Sequence, residues 1–103
     1  MLKKLLLASI VIFFTSQAQA DGEGNTIKSV YYCSDDFSML MSNGERWVIK
    51  KSQVGEFKMN QMVSIALFMA ASNKKTANIF PGKPERWCGN DNTRPITYIS
   101  FIN

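Results

Sequence analysis

Between residues 59 and 79 the chain reads MNQMVSIALFMAASNKKTANI, and this stretch limits the possible folds more than any other. Met59, Met62, Val63, Ala66 and Ala70 recur three and four residues apart, the spacing that gathers side chains on one face of an α-helix. Ile65, Leu67, Phe68 and Met69 fall outside that stripe, so the second half of the helix is apolar nearly all round. Such a helix needs cover on more than one side. It is too short to cross a membrane, which takes about 20 apolar residues. Asn73, Lys74 and Lys75 close it, with cations where the helix dipole favours them. Residues 76–80 then read as a strand stopped by Pro81 and Gly82.

The first 20 residues read as something other than fold. Lys3 and Lys4 precede an apolar run over residues 5–14, and Ala18, Gln19 and Ala20 form a small-residue cleavage site. This is the pattern of a secretory signal peptide cut after Ala20. An uncleaved membrane anchor is the other reading, and the short apolar run argues against it. Residues 21–103 then form one small domain, with no room for a second. Setting aside Lys3 and Lys4 reduces the 12 Lys and Arg to ten against eight Asp and Glu, a net charge of +2. The basic residues are scattered, unlike the dense stripe of a nucleic-acid binder.

Export carries Cys33 and Cys88 into an oxidising compartment, where a domain of this size gains from a covalent tie. We expect a disulfide between them. Closing that loop is worth about 4 kcal/mol in the chain-entropy treatment. Redox or metal use of the two thiols has little support, because the chain has no C-x-x-C spacing and no histidine.

Residues 27–32 are a strand ending at Cys33, and Ser34, Asp35 and Asp36 make a turn. Phe37, Met39 and Met41 alternate along a second strand over residues 37–42. Asn43-Gly44 predicts a two-residue type I′ turn, whose central residues both need positive φ. The return strand covers residues 45–51, with Trp47 and Ile49 on one face and Arg46, Val48 and Lys50 on the other. Ser52 or Asn60 is placed to cap the helix. Residues 81–87 and 89–95 read as loops on either side of Cys88, and a last strand runs over residues 96–102. Three strands, a helix and two strands give the connectivity of a small β-barrel of the oligonucleotide/oligosaccharide-binding (OB) type. It is a five-stranded barrel with its one α-helix between strands 3 and 4.

This plan resembles that of the B subunits of bacterial A–B toxins, in the cholera and heat-labile enterotoxin group and the Shiga-toxin group. Residues 92–103, with Ile96, Ile99, Ser100 and Asn103, are similar to the C-terminus of the enterotoxin B chains. Trp87-Cys88-Gly89-Asn90 stands where those chains have a cysteine, a tryptophan and asparagines near a galactose pocket. The tryptophan here precedes the cysteine instead of following it. The resemblance implies a secreted ring of like subunits, a cell-surface glycan as ligand, and an exported enzymatic A subunit as partner.

Catalysis has little to stand on. Without histidine the commonest general base and metal ligand are missing, and no cofactor or metal site is expected. Asp35 and Asp36 read as solvated turn residues. Trp87, with Asn90, Asp91 and Asn92, offers the makings of a carbohydrate site, an indole platform beside amides and a carboxylate. The alternative is that Trp87 covers the disulfide. Trp47, in a strand, is a core residue. Ile65, Phe68 and Met69 form either a subunit interface or a face covered by loops. Two functions stay open: a secreted glycan-binding module, and a stand-alone periplasmic or extracellular interaction protein, such as an inhibitor or envelope factor, without a sugar site.

Overall fold

The structure, a computed structural model, describes residues 22–103. The expected signal peptide and its cleavage point lie outside them. An antiparallel meander opens the fold, with β1 (Ile27–Cys33), β2 (Asp36–Met41) and β3 (Arg46–Ile49). A single helical turn, α1 (Lys51–Val54), leads into the main helix, α2 (Glu56–Ser72). The remaining strands are β4 (Lys75–Thr76), β5 (Glu85–Trp87), β6 (Asn90–Pro95) and β7 (Phe101–Ile102).

The main sheet is mixed and five-stranded, in the order β1-β2-β3-β6-β5, with β3 and β6 parallel and the other pairs antiparallel. A separate two-stranded sheet joins β4 to β7. The expected closed barrel is not formed, because no backbone ladder joins the edge strands β1 and β5 among the described residues. Two assignments change with it. The strand expected over residues 76–80 contributes only Thr76 to β4, and the one over residues 96–102 is reduced to β7. Their places in the main sheet are taken by β5 and β6, from segments read as loops. Both are short and polar, and Pro95 ends β6, beyond which Ile96 N–H bonds the Val48 carbonyl at 2.9 Å.

The β2–β3 hairpin forms, but through a three-residue loop. Gly44 N–H donates to the Met41 carbonyl at 2.9 Å, and only Gly44 of the pair has positive φ, at 92°. Asn43 instead turns its side-chain carbonyl back to accept from Glu45 N–H at 2.9 Å. That bond favours the wider loop over a type I′ turn.

The helix starts earlier than its apolar stripe. Gly55, at φ 87°, makes the break between α1 and α2, and no side chain caps α2, so neither Ser52 nor Asn60 does so. At the other end Asn73 adopts the left-handed conformation, and Lys74 N–H returns to the Met69 carbonyl at 3.0 Å. Met59, Met62, Ala66 and Met69 are buried against Phe37, Met39, Met41, Trp47 and Ile49 on one face of the sheet. The expected strand alternation and the core placement of Trp47 both hold. Five of these side chains in contact are methionines, whose unbranched stems fill irregular space between a helix and a twisted sheet.

Met69 has no exposed surface at all, which removes it from the expected subunit interface. Ile65 is half-buried against the same core. Phe68 remains on the surface, about half exposed, with its ring 5.4 Å from that of Phe101. The helix turns by 100° per residue, so Phe68 and Met69 cannot share the narrow face first assigned to them.

Candidate binding cleft

Strand alternation sends Ser38, Leu40, Arg46 and Val48 to the face of the sheet away from α2. Tyr31 lies directly across from Ser38, and Cys33 across from Asp36. This second face is curled on itself, because its two edges are tied. Cys33 at the end of β1 is disulfide-bonded to Cys88 in the β5–β6 turn, as expected, with 6.6 Å between their Cα atoms. The Tyr31 and Trp87 rings meet edge to face at 5.7 Å. Trp87 Nε1 donates to Asp36 Oδ2 at 3.2 Å, while Asp36 Oδ1 accepts the Lys51 N–H at the start of α1 at 2.9 Å. Ser38, Val48 and Thr93 are fully buried beneath these contacts.

Trp87 is therefore a structural closure. Only 6% of it is exposed, so its indole offers no platform to a sugar, and its expected binding role is corrected to the covering role weighed beside it. Asp36 is corrected in the opposite sense. It is a half-buried hub joining β2, α1 and β5 instead of a solvated turn residue.

An open cleft of about 300 Å³ lies between the two hairpins, lined by Leu40, Gly44 and Arg46 on one side and residues 89–93 on the other. Asn90, Asp91 and Asn92 are thus brought together in one concave site, without Trp87. Asn90 is held by its own Nδ2 donating to the Cys88 carbonyl at 3.4 Å. Thr93 Oγ1 donates to the Asn90 carbonyl at 3.3 Å. Asp91 is exposed and pairs with Arg86 at 2.9 Å.

Arg46, absent from the expected set, brings a guanidinium to the cleft. Its Cζ lies 5.6 Å from the centre of the Tyr31 ring. Its Nη1 donates to Ser38 Oγ at 3.0 Å, and that hydroxyl donates in turn to the Tyr31 carbonyl. Arg46 forms no ion pair among the described residues, whereas Arg94, Lys50, Lys51 and Arg86 each have a carboxylate partner. The neighbouring acid, Glu45, is engaged by Trp47 Nε1 at 2.9 Å and by Arg94 at 3.0 Å. Chemically, the cleft presents one oriented guanidinium, two amide side chains and a paired carboxylate. Those groups suit hydroxyl-rich or oxyanionic ligands.

A second, more apolar groove of about 370 Å³ runs between β1 and α2, lined by Tyr32, Phe37, Met59 and Val63 among others. No group of three or more His, Cys, Asp or Glu residues placed to hold a metal occurs among the described residues, and no helix there is long and apolar enough to cross a membrane. The chain matches no model of a known protein family, no curated protein and no solved structure.

Proposed function

We propose that the chain is an exported, non-enzymatic binding module of the toxin-B-subunit type, and that the cleft between its two hairpins takes a saccharide. The observation that carries this reading is Arg46, a half-buried guanidinium placed over the Tyr31 ring and without an acidic partner among the described residues, in one concavity with Asn90 and Asn92. Export is supported by the disulfide, which persists in oxidising compartments. An OB-type plan is supported by the meander, the parallel β3–β6 pair and the pinned sheet edges, which together approach a partly open five-stranded barrel.

A shallow site of this kind binds weakly alone and gains through several copies acting together. Phe68, with Leu67 and Phe57, supplies exposed apolar surface on α2 for self-association, and an exported enzymatic chain is the partner that the toxin resemblance implies. The burial of Trp87 favours a second reading, a stand-alone interaction protein with no sugar site, because it removes the aromatic platform on which sugars stack. A glycan array probed with wild-type protein and with Asn92→Ala separates the two. Binding that the variant loses supports the saccharide reading. A blank array for a correctly folded protein overturns it in favour of the second.

A further inference from the structure

The charge of the cleft indicates which saccharides it would select, an inference that rests on the cleft being a ligand site. We propose that the ligand carries an anionic group, a carboxylate or a sulfate, and that Arg46 receives it. Among the described residues the only hydrogen bond of this side chain is from Nη1 to Ser38. The remaining guanidinium donors have no acceptor among the described residues, and two parallel N–H groups of such a fork match the paired oxygens of a carboxylate or sulfate.

The fork is also held before a ligand arrives. Tyr31 supports one side of the guanidinium, Ser38 fixes Nη1, and the strand bearing Tyr31 is tied to the facing hairpin by Cys33–Cys88. Little side-chain freedom is left to lose on binding. The acids nearby do not neutralise the site. Asp91 is matched by Arg86, and Glu45 is matched by Arg94 and Trp47. A neutral sugar would leave the Arg46 charge with water alone on its open side. An acidic sugar would satisfy it while its hydroxyls meet Asn90 and Asn92.

The test is calorimetric titration of the wild-type protein with galactose, galacturonate, galactose 6-sulfate and inorganic sulfate, at low and high salt. The acidic sugars should bind at least about tenfold tighter than galactose, with the preference shrinking as salt screens the charge. Arg46→Gln should remove the preference, bringing the acidic sugars down to no tighter than galactose. Arg46→Lys, which keeps the charge but loses the fork, should fall between, and near-ultraviolet circular dichroism of both variants shows whether the Tyr31–Trp87 packing survives. Equal affinity for galactose and galacturonate overturns the anionic ligand and leaves the saccharide reading standing. Inorganic sulfate binding as tightly as the acidic sugars overturns it as well, revealing a simple ion site. Failure of every sugar to bind removes both readings together.

Discussion

The ring of Tyr31 meets the ring of Trp87 edge to face at 5.7 Å, although the two residues belong to opposite edges of the five-stranded sheet. Three intervening strands separate them along the sheet, so the contact requires the sheet to bend through most of a closed turn. The disulfide between Cys33 and Cys88 and the bond from Trp87 to Asp36 hold that bend. The cleft lies at its mouth, and its geometry depends on them.

Trp87→Ala should therefore destabilise the fold, by about 3–5 kcal/mol as for other buried aromatics. Trp87→Phe keeps the ring but abandons the Asp36 carboxylate, and should cost about 1.5–3 kcal/mol. Urea unfolding of both variants gives the two values. A near-neutral Trp87→Ala would mean that the indole does not close the curl.

Unreduced protein should show no free thiol under denaturing conditions. The double substitution Cys33→Ser with Cys88→Ser should lower stability by about 4 kcal/mol. The loss should be uneven. Hydrogen exchange should quicken first in β5 and β6, while β2, β3 and α2, joined by the Met39–Trp47–Met62 core, stay protected.

Phe68 and Met69 are neighbours in sequence with opposite surroundings. Met69→Glu buries an unpaired charge in the core, and should prevent folding or cost several kcal/mol. Phe68→Glu should fold, and if α2 mediates self-association its mass in solution should fall to that of a monomer. Sedimentation of the wild type and Phe68→Glu reads the difference. Equal masses would exclude this face as the interface.

Thr76 is fully buried, and its hydroxyl both donates to the Gly22 carbonyl at 2.6 Å and accepts from Asn25 N–H at 3.0 Å. Thr76→Val leaves both groups without a partner and should cost about 1–3 kcal/mol. Gly22→Ala should be at least as harmful. A Cβ there would lie 1.6 Å from the Ile79 carbonyl oxygen, and its φ of +76° already favours glycine. Thermal unfolding of each variant checks both.

Features with a local signature were legible in the sequence: the cysteine pair, the Asn-Gly hairpin, the alternation of Phe37, Met39 and Met41, and the helix with its Asn73 terminus. β5 and β6 were not, because a three-residue strand and a polar strand ending in Pro95 carry no hydrophobic period. What makes them strands is the open edge of β3, which is a property of the assembled sheet. Asn90 and Asn92 drew notice for their chemistry near Trp87, and the structure places them in one cleft, but Arg46 and Asp36 were missed. An arginine beginning a strand is ordinary, and its value arises only once the register places it over Tyr31 and the curl brings residues 89–93 opposite. Trp87 illustrates the converse. Its chemistry suits two roles, and only its burial distinguishes them.

β4 is flanked on both sides. Thr76 N–H bonds the Asn25 carbonyl and Gly24 N–H bonds the Thr76 carbonyl on one side, while Thr76 pairs with Phe101 on the other. Residues 24–25 and 101–102 are therefore about two strand spacings apart, roughly 10 Å. A few glycines would join them. New ends could then be cut at Gly55, where nothing lies within 4 Å of an added Cβ and no residue of the cleft is disturbed. In such a circular permutant, β1 through β3 would follow β7 in the chain, and α2 would come first. A permutant that folds with the cleft intact would show the order of the elements along the chain to be separable from their arrangement in space.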